Sequence, residues 1–284
     1  MYQQPQYQNP GTYQQQYQSP AMYEQQQYQQ QHYPQQQYQQ PQYPSQDYES
    51  QGYEQPEKIG LGGYNPRLGF VKKVYGILSV QLLFTAFFIY LAGFHLTAFF
   101  KSPAAVGIAV FCAVTTFIVC IMITCYTTFA RSVPTNYYLL GIFTFCEAYL
   151  VAMITTAYTP GSVLLAAALT VSLTLALTLY ACTTKTDYTT CGAALFLLAW
   201  GLCIFGGIMI WSWSNGGINK HSYLAFQGLG VLIYGAYLIY DTQIIMGGGK
   251  YELTLDDYVI GALVLYIDII VLFLKLLRMF GSRR

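Results

Sequence analysis

The chain has 284 residues, of which 54% are hydrophobic, 17% aromatic and only 9% charged, with a formal net charge of +1. A soluble domain carries about 25% charged residues, so this composition excludes a soluble enzyme. It also excludes a nucleic-acid-binding protein, which needs a concentrated basic patch. The seven cysteines form no CxxC pair and stand mostly within apolar runs, which argues against a disulfide scaffold. The composition indicates a multi-pass membrane protein whose first partner is the lipid bilayer.

Residues 1–58 form a segment of different composition, rich in Gln and Tyr and without any Leu, Ile, Val or Phe. Tyrosine recurs there about every five residues, which fits neither a helix nor a strand, and seven of the 11 prolines lie there. Without aliphatic residues the segment cannot offset its ordering entropy, so we predict a disordered cytosolic tail. Two interpretations stay open, an interaction arm that recruits cytosolic proteins and a low-complexity spacer.

The rest of the chain is predicted to be a juxtamembrane linker, residues 59–73, followed by a multi-pass membrane domain, residues 74–281. A transmembrane helix needs about 20 mostly apolar residues. Seven stretches meet or approach that length: 74–94, 104–129, 137–157, 161–182, 191–212, 223–246 and 258–280. Short loops with Gly, Pro and Asn separate them, which predicts an all-α bundle of antiparallel neighbours.

The distribution of Lys and Arg predicts a cytosolic N-terminus. The side holding the N-terminus would carry Lys58, Arg67, Lys72, Lys73, Arg131, Lys185 and Lys250, and the opposite loops only Lys101 and Lys220. A basic cluster near the C-terminus consists of Lys275, Arg278, Arg283 and Arg284. Seven full crossings would place this cluster on the non-cytosolic side, whereas six crossings and a re-entrant seventh segment would return it to the cytosol.

Three acidic residues fall within the predicted spans: Glu147 in the third, Asp241 in the sixth and Asp268 in the seventh. A charge at the bilayer centre costs about 2.5–3.5 kcal/mol, so each needs a partner, a water-filled cavity or a proton. Tyr234 and Tyr237 share a helix face with Asp241 and could donate hydrogen bonds to it. Together with Glu147 they are candidate pore-lining residues. If Asp241 and Asp268 meet, they cannot both stay ionised, and the pair would share a proton and attract a cation when ionised.

Other charged residues near the spans allow weaker interpretations. Arg131 is either a positive-inside marker or a cationic latch for one of the intramembrane carboxylates. Lys275 shares a face with Asp268, but about 10.5 Å of helix rise separates them, so no direct pairing is expected. Residues 254–257 resemble an N-cap that would start the seventh span. Since the three histidines are dispersed and no P-loop, HExxH or GxSxG motif is present, no enzyme and no cofactor are expected.

Three segments of the chain are similar to the transmembrane Bax inhibitor motif family, in its Lifeguard branch. Residues 239–281 resemble the family's C-terminal signature, whose parts match Tyr240–Gln243, Asp257–Val259 and Leu265–Ile270. Residues 141–158 resemble the family's third span, including the acid at Glu147, and residues 184–196 resemble the loop and entry of its fifth span. The resemblance covers roughly residues 66–281 and leaves the tail outside it.

The resemblance implies a seven-helix fold in which six helices surround a central seventh, with Asp241 and Asp268 as a di-aspartyl pH sensor. It implies that Arg131 latches onto the aspartate of the sixth helix. The implied activity is a pH-sensitive calcium leak across endomembranes of the endoplasmic reticulum or Golgi, with suppression of cell death. Calcium favours oxygen ligands, which both carboxylates could supply transiently. The rival hypotheses are a membrane scaffold whose tail recruits partners, and a secondary transporter, which would need an internal repeat that the sequence does not convincingly show.

Overall fold

The computed structural model describes residues 65–215, 217 and 219–284, and the tail predicted to be disordered, residues 1–58, lies outside them. Seven of the described helices are long and apolar enough to cross a membrane. They are α1 (Pro66–Phe94), α2 (Pro103–Cys125), α3 (Thr135–Thr155), α4 (Pro160–Thr183), α5 (Gly192–Ser214), α6 (Lys220–Met246) and α7 (Tyr258–Phe280). Short helices at Thr97–Phe100 and Thr127–Arg131 and a 3-10 turn at Tyr188–Cys191 occupy three of the connections. The prediction of an all-α, seven-helix membrane protein is confirmed.

Helix α1 begins at Pro66, inside the segment predicted as a linker. Proline at the first helical position has its φ angle already set for a helix and lacks an N–H that would be unpaired there. The Asn65 side chain accepts hydrogen bonds from the backbone N–H groups of Arg67 and Leu68 at 3.0 and 3.3 Å. A capped helix can extend beyond the apolar stretch into water, so the hydropathy of the sequence located the span but not the start of the helix.

Helix α2 ends at Cys125, four residues before the predicted end of the second span at residue 129. The chain is extended at Tyr126, with φ −115° and ψ 94°, and then forms the separate short helix Thr127–Arg131. Arg131 is therefore carried by its own helix beyond the end of α2. That position places its side chain beside the loop between α6 and α7.

Helix α7 forms the core of the bundle. It packs against α1, α3, α4 and α6, while α2 packs on the outside of α3 and α5 on the outside of α6. In an apolar stretch of 18 residues of α7, 72% of the residues are buried, whereas the corresponding share is at most 50% in any other of the seven helices. Helix α7 carries Asp268 and Lys275, which would be costly to expose to lipid, so its enclosure by the other helices is favourable. The predicted central seventh helix is confirmed, and four of the six other helices contact it closely.

The start of α1 and the C-terminus lie at opposite ends of the bundle. Helix α7 is continuous over 23 residues, about 34 Å at 1.5 Å per residue, which is enough for one crossing. Beyond it, the Thr159 N–H donates to the Ser282 carbonyl and the Arg284 N–H to the Ala157 carbonyl, both at 3.0 Å. The C-terminus therefore lies at the α3–α4 turn, opposite the start of α1, as in the alternative with seven full crossings. The C-terminal basic cluster then joins Lys101 and Lys220, and the asymmetry of basic residues between the two ends nearly disappears.

Candidate functional site

The acidic residues of α6 and α7 meet inside the bundle. Asp268, near the middle of α7, is only 4% exposed, and Asp241, five residues before the end of α6, is half-buried. Their carboxyl groups lie close enough to interact with each other's charge. Two carboxylates at such a distance in a low-dielectric interior repel strongly, so the arrangement requires a shared proton or a bound cation. The structure thus brings together the two residues that the sequence singled out.

Three buried oxygens on α6 and α7, one of them in the pair itself, have no hydrogen-bond partner within the described residues. They are Oδ2 of Asp268, Oγ1 of Thr242 and Oε1 of Gln227. Thr242 is fully buried and Gln227 is 1% exposed. A buried polar atom without a partner costs about 1–3 kcal/mol, and such atoms mark places where a proton, a water or an ion completes the site.

These polar groups follow one line between the two helices. Asp241, Tyr234 and Gln227 recur every seven residues on α6 and therefore share a face, as do Asp268 and Lys275 on α7. Tyr234 lies close enough to Asp268 to interact with its charge. We call this line of five residues the α6–α7 seam.

The tyrosines predicted beside Asp241 lie near the seam but do not bond to the acids. The rings of Tyr234 and Tyr237 pack against each other with centroids 6.0 Å apart and planes tilted by 38°. Neither hydroxyl donates to a carboxylate among the described residues, which differs from the predicted hydrogen bonds to Asp241. The reason is geometric, since the two phenols lie along the helix beside each other and Tyr234 is about 10.5 Å of helix rise from Asp241.

Glu147 does not join the acid pair. It is half-buried on α3, where its nearest ionisable neighbours are Tyr266 of α7 and Cys120 of α2. Tyr266 is two positions before Asp268, which on a helix is about 200° of rotation. Glu147 therefore lies on a different side of α7 from the seam. No contact between Glu147 and the acid pair supports its predicted role as a pore-lining residue.

Arg131 binds an acid, but not one of the pair. Its Nε donates to Oδ1 of Asp257 at 2.8 Å and its Nη2 to Oδ2 at 3.0 Å, and Thr254 Oγ1 donates to the same Oδ2 at 2.6 Å. This corrects the predicted pairing of Arg131 with an intramembrane carboxylate. Asp241 lies five residues inside the end of α6, about 7.5 Å along its axis, whereas Asp257 lies at the entrance of α7. The guanidinium of Arg131, which lies beyond the end of α2, therefore reaches Asp257 and not Asp241.

The Arg131–Asp257 pair is ionised over a wide pH range. Burial raises the pKa of Asp257, but the hydrogen bonds from Arg131 and Thr254 outweigh that effect and hold the pKa below its usual value. A carboxyl whose pKa is lowered by folding contributes stability that is fully present above its unfolded pKa of about 3.9 and is lost as the pH falls through the folded value. The pair therefore stays intact from neutral to mildly acidic pH. Asp257 precedes α7 as predicted, but its side chain caps no helical N–H.

The loop between α6 and α7, residues 247–257, is held by charged groups from distant parts of the chain. Arg67 donates to the carbonyls of Leu253 at 2.6 Å and Ile244 at 2.5 Å. Asp187 accepts from the Lys250 N–H at 2.9 Å, and this bond with those from Thr189 lowers the pKa of its carboxyl. The sequence suggested Arg67 only as an orientation marker. Its partners lie 177 and 186 residues away, so no local pattern could reveal them.

No group of three or more His, Cys, Asp and Glu that could hold a metal ion occurs in the part of the chain that the structure describes. A resident calcium site supplies about six to eight oxygen ligands. The acid pair alone offers fewer.

The fold and site define a class of protein: a multi-pass α-helical membrane protein with an enclosed central helix and an intramembrane acid pair. The family model described as "Inhibitor of apoptosis-promoting Bax1" matches residues 67–284, and the chain belongs to this family. It is 35% identical over 216 residues to Protein lifeguard 4 of Mus musculus, covering 75% of this chain and 84% of that protein. It is 31% identical to Protein lifeguard 3 of Homo sapiens over 255 residues, covering 82% and 77% of the two chains. The Golgi anti-apoptotic protein of Vaccinia virus (strain Lister) is 33% identical over 219 residues, covering 75% and 85%.

Proposed function

We propose that this protein is a pH-sensitive calcium leak channel of internal membranes that modulates calcium homeostasis and cell death. The observation that carries the proposal is the proximity of the carboxyl groups of Asp241 and Asp268 inside the bundle. With one shared proton the pair bears a single negative charge. When that proton leaves, the charge doubles and the attraction for a divalent cation doubles with it. Proton and calcium therefore compete for one site.

The pH response belongs to the acid pair and not to Arg131. Because hydrogen bonds from Arg131 and Thr254 hold the pKa of Asp257 low, that carboxyl does not titrate near neutral pH. Its role is to hold the start of α7 against the helix Thr127–Arg131. In this proposal Arg131 fixes the entrance of α7 through Asp257, and not through Asp241 as predicted, while the charge of the pair changes deeper in the bundle.

The setting of the activity is proposed from the relatives. The Vaccinia virus protein is named for the Golgi and for an anti-apoptotic role, which supports placing this chain in Golgi or endoplasmic reticulum membranes with a part in cell-death control. We propose that the N-terminus is cytosolic, so that the loop between α6 and α7 faces the cytosol and the C-terminus the lumen. Calcium would be the permeant ion, with no resident cofactor.

The proposal is tested with the full chain purified and reconstituted in liposomes that contain a calcium-sensitive dye. The double variant Asp241→Asn with Asp268→Asn should lose most of the calcium flux at pH 7, because its seam can no longer become negative. The matched control is Asp256→Asn, which removes an exposed acid of the adjoining loop and should leave the flux unchanged. Equal flux through the wild type and the double variant would show that the acid pair does not conduct calcium.

A further inference from the structure

Lys275 is a buried cation that the proposed mechanism does not use. It belongs to the central helix α7, is only 7% exposed, and lies in the last third of a segment long enough to span the membrane. No carboxylate within the described residues forms a salt bridge with it. A charged group at this depth is expensive, and one without a carboxylate partner calls for a functional explanation.

The surroundings of Lys275 hold its ammonium group in one place. Its Nζ lies 3.6 Å from the centroid of the Phe226 ring on α6, a cation–π contact. Phe226 is in turn fixed from α5 by an edge-on contact with Phe205, with ring centroids 5.4 Å apart. The hydrocarbon stem lies against Gly230, where an added Cβ would come within 2.6 Å of Lys275 Cε. The absence of a side chain at Gly230 therefore makes room for the lysine.

Lys275 lies at the end of the α6–α7 seam that is nearest the C-terminus of α7 and the N-terminus of α6. Gly230 lies 11 residues from Asp241 along α6, about 16 Å of helix rise, so the lysine stem extends away from the acid pair toward the end of the bundle. Gln227, with its buried Oε1 unpartnered, lies 14 residues from Asp241 on α6, beyond Gly230 and next to Phe226. An ion that moves from the acid pair along the seam would therefore reach the ammonium of Lys275 at about the same depth as the Oε1 of Gln227.

We propose that Lys275 is a fixed positive charge that restricts the passage of divalent cations along the seam and so sets the rate and valence selectivity of the leak. The inference rests on the proposed calcium leak. The repulsion between a fixed charge and a passing ion is proportional to the charge of the ion. Removing the charge therefore changes divalent flux by the square of the factor for monovalent flux. This relation distinguishes an electrostatic barrier from a general loosening of the bundle, which would raise both fluxes alike.

The test uses Lys275→Met, which keeps an unbranched side chain beside Gly230 and removes the charge, in liposomes loaded with dye for calcium or for potassium at pH 7. Calcium flux should rise on the order of tenfold and potassium flux about threefold, because of the twofold difference in ion charge. The control Lys220→Gln removes an exposed cation at the start of α6, at the same end of the bundle, and should leave both fluxes unchanged. Lys275→Gln gives a second neutral variant should the first fail to fold, and thermal unfolding in detergent checks both.

The outcomes separate the two proposals. If the folded Lys275 variants show the same calcium flux as the wild type, the role of Lys275 is overturned while the calcium leak stays intact. Equal rises for calcium and potassium would also overturn it, since they would indicate a loosened bundle. Wild-type liposomes without any calcium flux would overturn the proposed function itself, and the role of Lys275 with it.

Discussion

At the scale of single residues, the charges of this protein divide into two kinds. At the end of the bundle near Arg67, charges are compensated, as in the two-point contact between Arg131 and Asp257. In the seam they are not: Asp268 has an unpartnered oxygen and Lys275 rests on an aromatic ring. Compensated charges hold structure, whereas uncompensated ones in a membrane interior are costly and mark function. This distinction assigns the latch and the ion path to different residues.

Arg131→Gln should lower the free energy of unfolding by about 1–3 kcal/mol, because the carboxylate of Asp257 loses the guanidinium that donates hydrogen bonds to it. That carboxylate side chain is only 8% exposed, against 43% for Arg131. Thermal unfolding in detergent measures the change, and Lys185→Gln, which removes an exposed cation, is the control. Combined with Asp257→Asn, the cost should be less than the sum of the single costs. Strictly additive costs would mean that the pair contributes nothing. The pH dependence of calcium flux should keep its midpoint in Arg131→Gln.

At the scale of elements, the sequence predicted what a continuous apolar stretch can reveal. The bounds of α7 match the prediction because polar residues flank it on both sides, at Asp257 and after Phe280. The start of α1 did not match, since a cap at Asn65 rather than hydropathy determines it. The partner of Arg131 lies 126 residues away and could not be derived from spacing. The acid pair was predictable because two acids in neighbouring apolar spans are rare and costly.

The loop between α6 and α7 depends on two glycines with left-handed backbone, Gly247 at φ +75° and Gly248 at φ +84°. Gly248→Ala should cost about 1–3 kcal/mol of stability through backbone strain alone, since its Cβ would meet open space. Gly247→Ala should cost more, because its Cβ would also come within 2.6 Å of Glu252 and 2.8 Å of Arg67. Chemical denaturation in detergent compares the two variants. An equal loss in both would show that Arg67 does not brace this loop.

At the scale of the whole molecule, the proposed ion path and the Tyr- and Gln-rich tail belong to different parts of the chain. The helices, the seam and the latch all lie within residues 65–284, and the family model covers residues 67–284. The Tyr- and Gln-rich residues 1–58 differ from this body in composition and lie outside the residues that the family model matches. A channel needs only the body, whereas a scaffold that recruits cytosolic proteins would need the tail.

Deletion of residues 1–58 should therefore leave calcium flux in liposomes unchanged, because no residue of the seam is removed. The same truncated chain, expressed in cells, checks whether protection against cell death depends on the tail. Unchanged flux with lost protection would favour the scaffold hypothesis for the cellular role. Loss of flux on deletion would contradict the assignment of the conducting path to α6 and α7.

If the ionisation of Asp241 and Asp268 controls a calcium path, calcium flux must depend on pH through these two carboxyl groups. Flux is measured in liposomes between about pH 5 and pH 8, a range that spans the titration expected of a carboxyl pair sharing a proton. The wild type should show flux that rises with pH as the shared proton is lost. Asp268→Asn should give a flatter profile, since one carboxyl remains and the charge can no longer double. A profile of Asp268→Asn that superimposes on the wild type would contradict the account.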